Sequence, residues 1–123
     1  SRVKMSADAK FVRSIDTYYN DVDVNGHINS VKYIEHVLDL FDLDYYKTHF
    51  LQRFEIAYVA ESHQGDQLNF YVEKVDDEGK TEKDASVNEP QITEEFCIKI
   101  TKISQNSDIE VEVVRSKVKF IKK

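Results

Sequence analysis

Val31, Ile34, Val37, Leu38 and Phe41 recur at three- and four-residue steps, while Lys32, Glu35 and Asp39 fall on the other side. That spacing predicts an amphipathic helix of about three to four turns, running to about Phe41. Asn29 or Ser30 can cap it. Elsewhere the period drops to two. From Phe11 to Tyr19 the residues Phe11, Ile15, Thr17, Tyr18 and Tyr19 favour an extended strand ahead of the helix. Over Leu51 to Ser62, Phe54, Ile56, Tyr58 and Ala60 alternate with Arg53, Glu55 and Glu61, which predicts a strand with one buried face. Leu68, Phe70 and Val72 repeat the alternation, and so do Phe96, Ile98 and Ile100, with Cys97 on the opposite face. The last strand alternates on Ile109, Val111 and Val113, then changes parity to Val114, Val118 and Phe120. A slip of one residue predicts a β-bulge near Val113 and Val114.

The connections follow from composition. Asp42 to Phe50 reads as a short link with a helical turn around Asp44 to Lys47, and Gly65-Asp66 closes the first long strand. Asp76 to Thr93, with Gly79, many charges and the only proline, Pro90, reads as a long hairpin connection. Ser104 to Asp108 is the next turn. The order is strand, helix, then four antiparallel strands, an α+β arrangement. One amphipathic helix covers one sheet face, so a curved sheet wrapped around the helix is expected, with the opposite face calling for another subunit or domain.

A chain of 123 residues is one domain, 1–123, large enough for a single core. Its 33% charged residues describe a solvated surface, and no apolar run approaches the roughly 20 residues a bilayer requires, so a cytoplasmic protein with no membrane partner is expected. Starting at Ser1 without an initiator methionine, the sequence reads as a trimmed form or a fragment of a longer chain. The single cysteine, Cys97, excludes an internal disulfide and reads as packing. His27, His36, His49 and His63 show no paired ligand spacing, so neither a metal nor another cofactor is expected, and His36 reads as a surface residue. The net charge of −6 argues against nucleic acid. An acidic protein partner would need a local basic patch, for which Arg115, Lys117, Lys119, Lys122 and Lys123 are the dense candidate; they read more simply as an edge strand protected by lysines.

Candidate chemistry concentrates just before the helix, where Asp21, Asp23, Asn25, Gly26, His27 and Asn29 fall within nine residues. Asp23, Asn25 and His27, at alternate positions, share one side of an extended segment. Gly26 and Asn29 lie where a helix N-terminus offers unpaired N–H groups and partial positive charge to a developing oxyanion. Glu61 is the later carboxylate most readily carried back to this turn. A carboxylate near water can act as general base and an amide or backbone N–H can hold the oxyanion of a tetrahedral intermediate, which suits hydrolysis of an activated acyl group. The same residue types also suit any tight turn.

The segment from Asp21 to Glu35 resembles the signature of the acyl-acyl carrier protein thioesterases, Phe54 to Asp66 resembles their second motif, and Val114 to Val118 also fits. The resemblance covers roughly positions 11 to 120. It implies the hotdog fold, in which a curved antiparallel sheet wraps one long central helix, and it points to the C-terminal half of a tandem pair of such domains. It implies Asp23, Asn25, His27 and Glu61 as catalytic residues, and places Ser62 where plant members often carry a cysteine. A serine is a poor nucleophile without an activating base, so water is the expected attacker. The implied partners are an acyl carrier protein bearing a fatty acyl chain and an N-terminal hotdog half, or a second copy in its place. A stand-alone hotdog acyl-CoA thioesterase and a non-catalytic acyl-binding hotdog domain remain alternatives.

Overall fold

The alternating segments join into one antiparallel sheet. The computed structural model describes residues 9–18, 23, 27–75, 81–82, 91–104 and 107–123. Strands β1 (Lys10–Asp16), β2 (His49–Tyr58), β3 (Gln67–Val75), β5 (Gln91–Ile103) and β6 (Glu110–Lys122) lie in the order β1-β3-β5-β6-β2. The two-residue β4 (Thr81–Glu82) pairs with the start of β5. Of the predicted hairpin connection and the turn at 104–108, the remaining parts, 76–80, 83–90 and 105–106, lie outside the described residues, as does Tyr19.

The expected parity slip is a bulge. Ile100 of β5 faces Val114 while Thr101 faces Glu112, so Val113 is the surplus residue, and both Val113 and Val114 are fully buried. The Val113 carbonyl accepts N–H bonds from Val59 at 2.7 Å and Ala60 at 3.3 Å, just past the end of β2. A residue in the middle of the sheet thereby fixes the path of the chain leading to Glu61.

Helix α1 (Ser30–Leu38) is capped by Asn29, whose side-chain oxygen accepts the Val31 N–H at 3.0 Å. With nine residues it is shorter than the long central helix expected. Asp39 closes it by donating its N–H to the Glu35 carbonyl at 2.9 Å, and Asp42 then caps a second helix, α2 (Leu43–Thr48), through the Tyr45 N–H. The apolar period outlasts the helix because Leu40 and Phe41, beyond its end, still pack against the core. The helix is also rotated from the expected phase. Tyr33 and Val37 are its buried residues, whereas Val31 is 54% exposed. His36, expected at the surface, is half-buried with its ring edge towards Phe70.

Tyr33 and Val37 meet Leu68, Phe70, Ile98, Ile100, Val114, Val118 and Phe120 in one core on the helix side of the sheet. Burial of each large side chain stabilises the fold by about 1.5–3 kcal/mol. The opposite face is charged. Across β3, β5, β6 and β2, Glu73, Cys97, Lys117 and Glu55 stand in one row, with Val75, Glu95, Lys119 and Arg53 in the next. Lys117 lies 3.7 Å from Glu95 and Arg53 lies 2.6 Å from Glu55. That face carries charges of both signs, so any subunit or domain covering it would meet a polar surface there. The basic run also sits elsewhere than expected: β6 lies between β5 and β2 rather than at an edge, and Arg115 is paired with Glu112. Cys97 is buried, which pushes its thiol pKa up and disfavours the thiolate. Among the described residues no helix is long and apolar enough to cross a membrane.

Candidate active site

The turn before α1 and the segment after β2 meet side by side. His27 and His63 are antiparallel bridge partners, and the Ile28 N–H donates to the Ser62 carbonyl at 2.9 Å. This short ladder brings the His27 Nδ1 to 3.3 Å from Glu61 Oε2. The Glu61 backbone is held from a third direction, since Lys102 donates its ammonium to the Glu61 carbonyl. The carboxylate itself is 70% exposed, so the pair adds little to stability and is open to solvent and ligand.

The following turn is pinned as firmly. Asp66 accepts the His63 N–H through Oδ2 at 2.8 Å, and the Asp66 N–H returns to the His63 carbonyl at 3.1 Å. Gly65 takes a φ of 91°, a region that a side chain would disfavour. The buried Thr17 hydroxyl accepts the Gly65 N–H at 2.9 Å and donates to the Asp66 carbonyl at 2.8 Å. The residue that follows β1 thus anchors the turn through a single oxygen.

Asp23 is fixed by a reciprocal pair of bonds: its N–H donates to the His27 carbonyl at 2.8 Å, and its Oδ1 accepts the His27 N–H at 3.2 Å. Asp23, His27 and Glu61 form the polar wall of a cleft of about 370 Å³. Ile28, Tyr33, Tyr58, Val59 and Ala60 form its apolar wall, and Ser30 places the first residue of α1 at its rim. A proton-accepting pair beside an apolar slot that ends at a helix N-terminus can bind a chain-like group, polarise its polar end and activate water.

The other expected site residues are distributed differently. Asn29 caps α1 with its side chain, which supports the helix N-terminus and commits the oxygen to Val31. Ser62 is 1% exposed and its hydroxyl shares a hydrogen bond with the Tyr33 phenol. Burial raises the Tyr33 pKa, opposed by the bond to Ser62, so the phenol keeps its proton. Asp21, Asn25 and Gly26 lie outside the described residues.

Tyr33 and His63 escaped the sequence reading. Tyr33 stands four residues before Val37 and eight before Phe41, both members of the stripe, and that spacing was the available signal for the tyrosine. For His63 linear spacing carries no signal, because only the bridge with His27 makes the two neighbours. Their rings are perpendicular at 87° with centroids 4.8 Å apart. One donor atom from each of His27, Glu61 and His63 lies within 4.8 Å of the others, a proximity that linear spacing does not reveal.

Comparison with known proteins bears on the fold and the family. Over 98% of its length the chain superposes on an acyl-ACP thioesterase from Bacteroides thetaiotaomicron, with 38% identity and a TM-score of 0.71, and spans 40% of that protein. A 12:0-ACP thioesterase from Umbellularia californica matches all of the chain at 17% identity and TM-score 0.72, again over 40% of its own length. A hexameric thioesterase from Yersinia pestis shares the fold at 10% identity and TM-score 0.71, with 94% of this chain and 90% of that one covered. Among curated proteins no sequence matches. The family model for the acyl-ACP thioesterase C-terminal domain matches residues 4–120, and the chain belongs to that family.

Proposed function

We propose that this domain carries the hydrolytic residues of an acyl-acyl carrier protein thioesterase, which releases a free fatty acid from its carrier. The observation that supports this best is the 3.3 Å approach of His27 to Glu61 at the mouth of a cleft whose other wall is apolar. Glu61, exposed at the rim, takes a proton from water as that water attacks the thioester carbonyl. His27 orients the carboxylate and the water. Asp23 holds the His27 backbone and supplies a second negative charge in the cleft. Asn25 and the N-terminal end of α1 polarise the carbonyl and stabilise the oxyanion. Collapse of the tetrahedral intermediate expels the carrier thiolate, which is then protonated. Ser62 takes no covalent part, because its hydroxyl is buried against Tyr33 and faces no base that would activate it.

The chain spans 40% of the Bacteroides and Umbellularia proteins, so the complete enzyme is proposed to include an N-terminal hotdog half that completes the acyl pocket. The test is turnover of acyl carrier protein substrates by that complete form. Glu61→Gln and Asp23→Asn are each expected to lower kcat by about 10²–10⁴-fold, the range of a lost general base or its support. Near-normal rates in both variants would remove the scheme. Faster turnover of acyl-CoA than of acyl carrier protein would favour the stand-alone acyl-CoA hydrolase reading, and acyl binding without turnover the non-catalytic one.

A further inference from the structure

His63 lies outside the proposed chemistry, yet its ring is held beside the two groups that perform it. We propose that His27, Glu61 and His63 form a divalent-cation site of the zinc class, and that its occupation switches the hydrolytic site off. The regulatory half of this rests on the hydrolase reading above; the site itself rests on geometry alone.

Three donors already converge, each presented by a fixed backbone. His27 and His63 face each other across an antiparallel bridge, and the His63 backbone N–H is locked by Asp66 at 2.8 Å. Glu61 reaches His27 to within 3.3 Å, and all three donor atoms lie within 4.8 Å of one another. A tetrahedral zinc centre draws its ligand atoms to about 3.3 Å apart, a contraction that rotation of partly exposed side chains supplies. Two imidazoles and one carboxylate match zinc in number and softness, and leave the fourth position to water in the cleft.

A carboxylate stands near the ring as well. The Asp66 carboxylate, 7% exposed, lies 4.0 Å from His63 Nδ1, close enough that a small rotation of the ring would let it accept the N–H of a ligating histidine. Asp23 adds a further negative charge to the same cleft, and the chain as a whole carries −6, which favours approach of a cation. A metal bound here takes the lone pairs of Glu61 and His27 that water activation requires. With its base occupied, the proposed hydrolytic scheme is expected to stop.

Two measurements test the proposal. Zinc titrated into the chain by calorimetry is expected to bind once per molecule, and His63→Ala or His63→Gln to weaken that binding by about 10–100-fold or more, at least the effect of losing an outer-shell partner. Zinc added to the complete enzyme is expected to abolish turnover, with recovery on chelation. His63→Ala, which leaves metal-free turnover unchanged, is expected to escape that inhibition. Binding that is absent, or equal in wild type and both His63 variants, overturns the site. Full turnover with zinc bound overturns the switch. A metal-free protein that folds and binds zinc but hydrolyses no thioester overturns the hydrolase reading and leaves the site upheld.

Discussion

Ser62 and Tyr33 decide what kind of nucleophile the cleft can use. Removing the serine hydroxyl leaves a buried phenol without its partner, at a cost of about 1–3 kcal/mol. Chemical denaturation of Ser62→Ala is expected to show that loss, and the double variant Ser62→Ala, Tyr33→Phe to recover most of it. Hydrolysis should persist in Ser62→Ala and in the double variant; a folded Ser62→Ala with no turnover, beside an active Tyr33→Phe, would make Ser62 the attacking group instead of water. At this scale the motif around Asp23 and His27, with Glu61 after the next strand, was legible because the residue types themselves carry the chemistry. The partners that shape the site were not. Tyr33 and Thr17 act through single hydroxyls whose partners lie in the segment between β2 and β3, and His63 becomes a neighbour of His27 only through the bridge between them.

The junction of α2 with β2 holds a second polar cluster, on the helix side of the sheet and unconnected with the cleft. His49 stacks on Tyr45 with ring centroids 3.9 Å apart, and its Nε2 lies 2.7 Å from Glu94 Oε1. Lys74 reaches the other oxygen at 2.8 Å. The bond from Lys74 holds the Glu94 carboxyl below its ordinary value of 4.5; burial opposes this and His49 assists it. A carboxyl whose pKa is lower folded than unfolded stabilises the native state above the unfolded value, and that contribution fades as pH falls through the folded one. Melting temperatures recorded from pH 7 down to pH 3 should therefore fall more steeply for wild type than for Glu94→Gln. Parallel curves would show that the cluster has no such role. The middles of these strands were readable from alternation, as was a bulge near Val113 and Val114, because burial on one face imposes a period of two; the starts of β2 at His49 and of β5 at Gln91 were read as connections. The cluster was not readable, since Glu94 and Lys74 occupy ends of strands where the pattern is weakest. The helix was legible in existence and misjudged in length, because Leu40 and Phe41 keep the apolar rhythm after Asp39 has ended it.

At the scale of the molecule, β2 closes one end of the sheet and pairs on one side only with β6. Phe50, Leu51 and Tyr58 along it are 41–59% exposed, an apolar edge that soluble domains rarely leave uncovered. Sedimentation of this chain alone is expected to show concentration-dependent self-association, reduced by Leu51→Lys. A well-behaved monomer with full activity on acyl carrier protein substrates would show that neither a second copy nor an N-terminal half is required. The same end of the sheet ties the interface to the chemistry. Val59 and Ala60, the two residues before Glu61, hang from the carbonyl of Val113. The proposed base is therefore aimed by a miscount in a neighbouring strand that never meets the substrate. Shortening β6 by that one residue would restore a regular ladder and withdraw the hook on which the reactive carboxylate swings, so that a more ideal sheet would make a poorer enzyme.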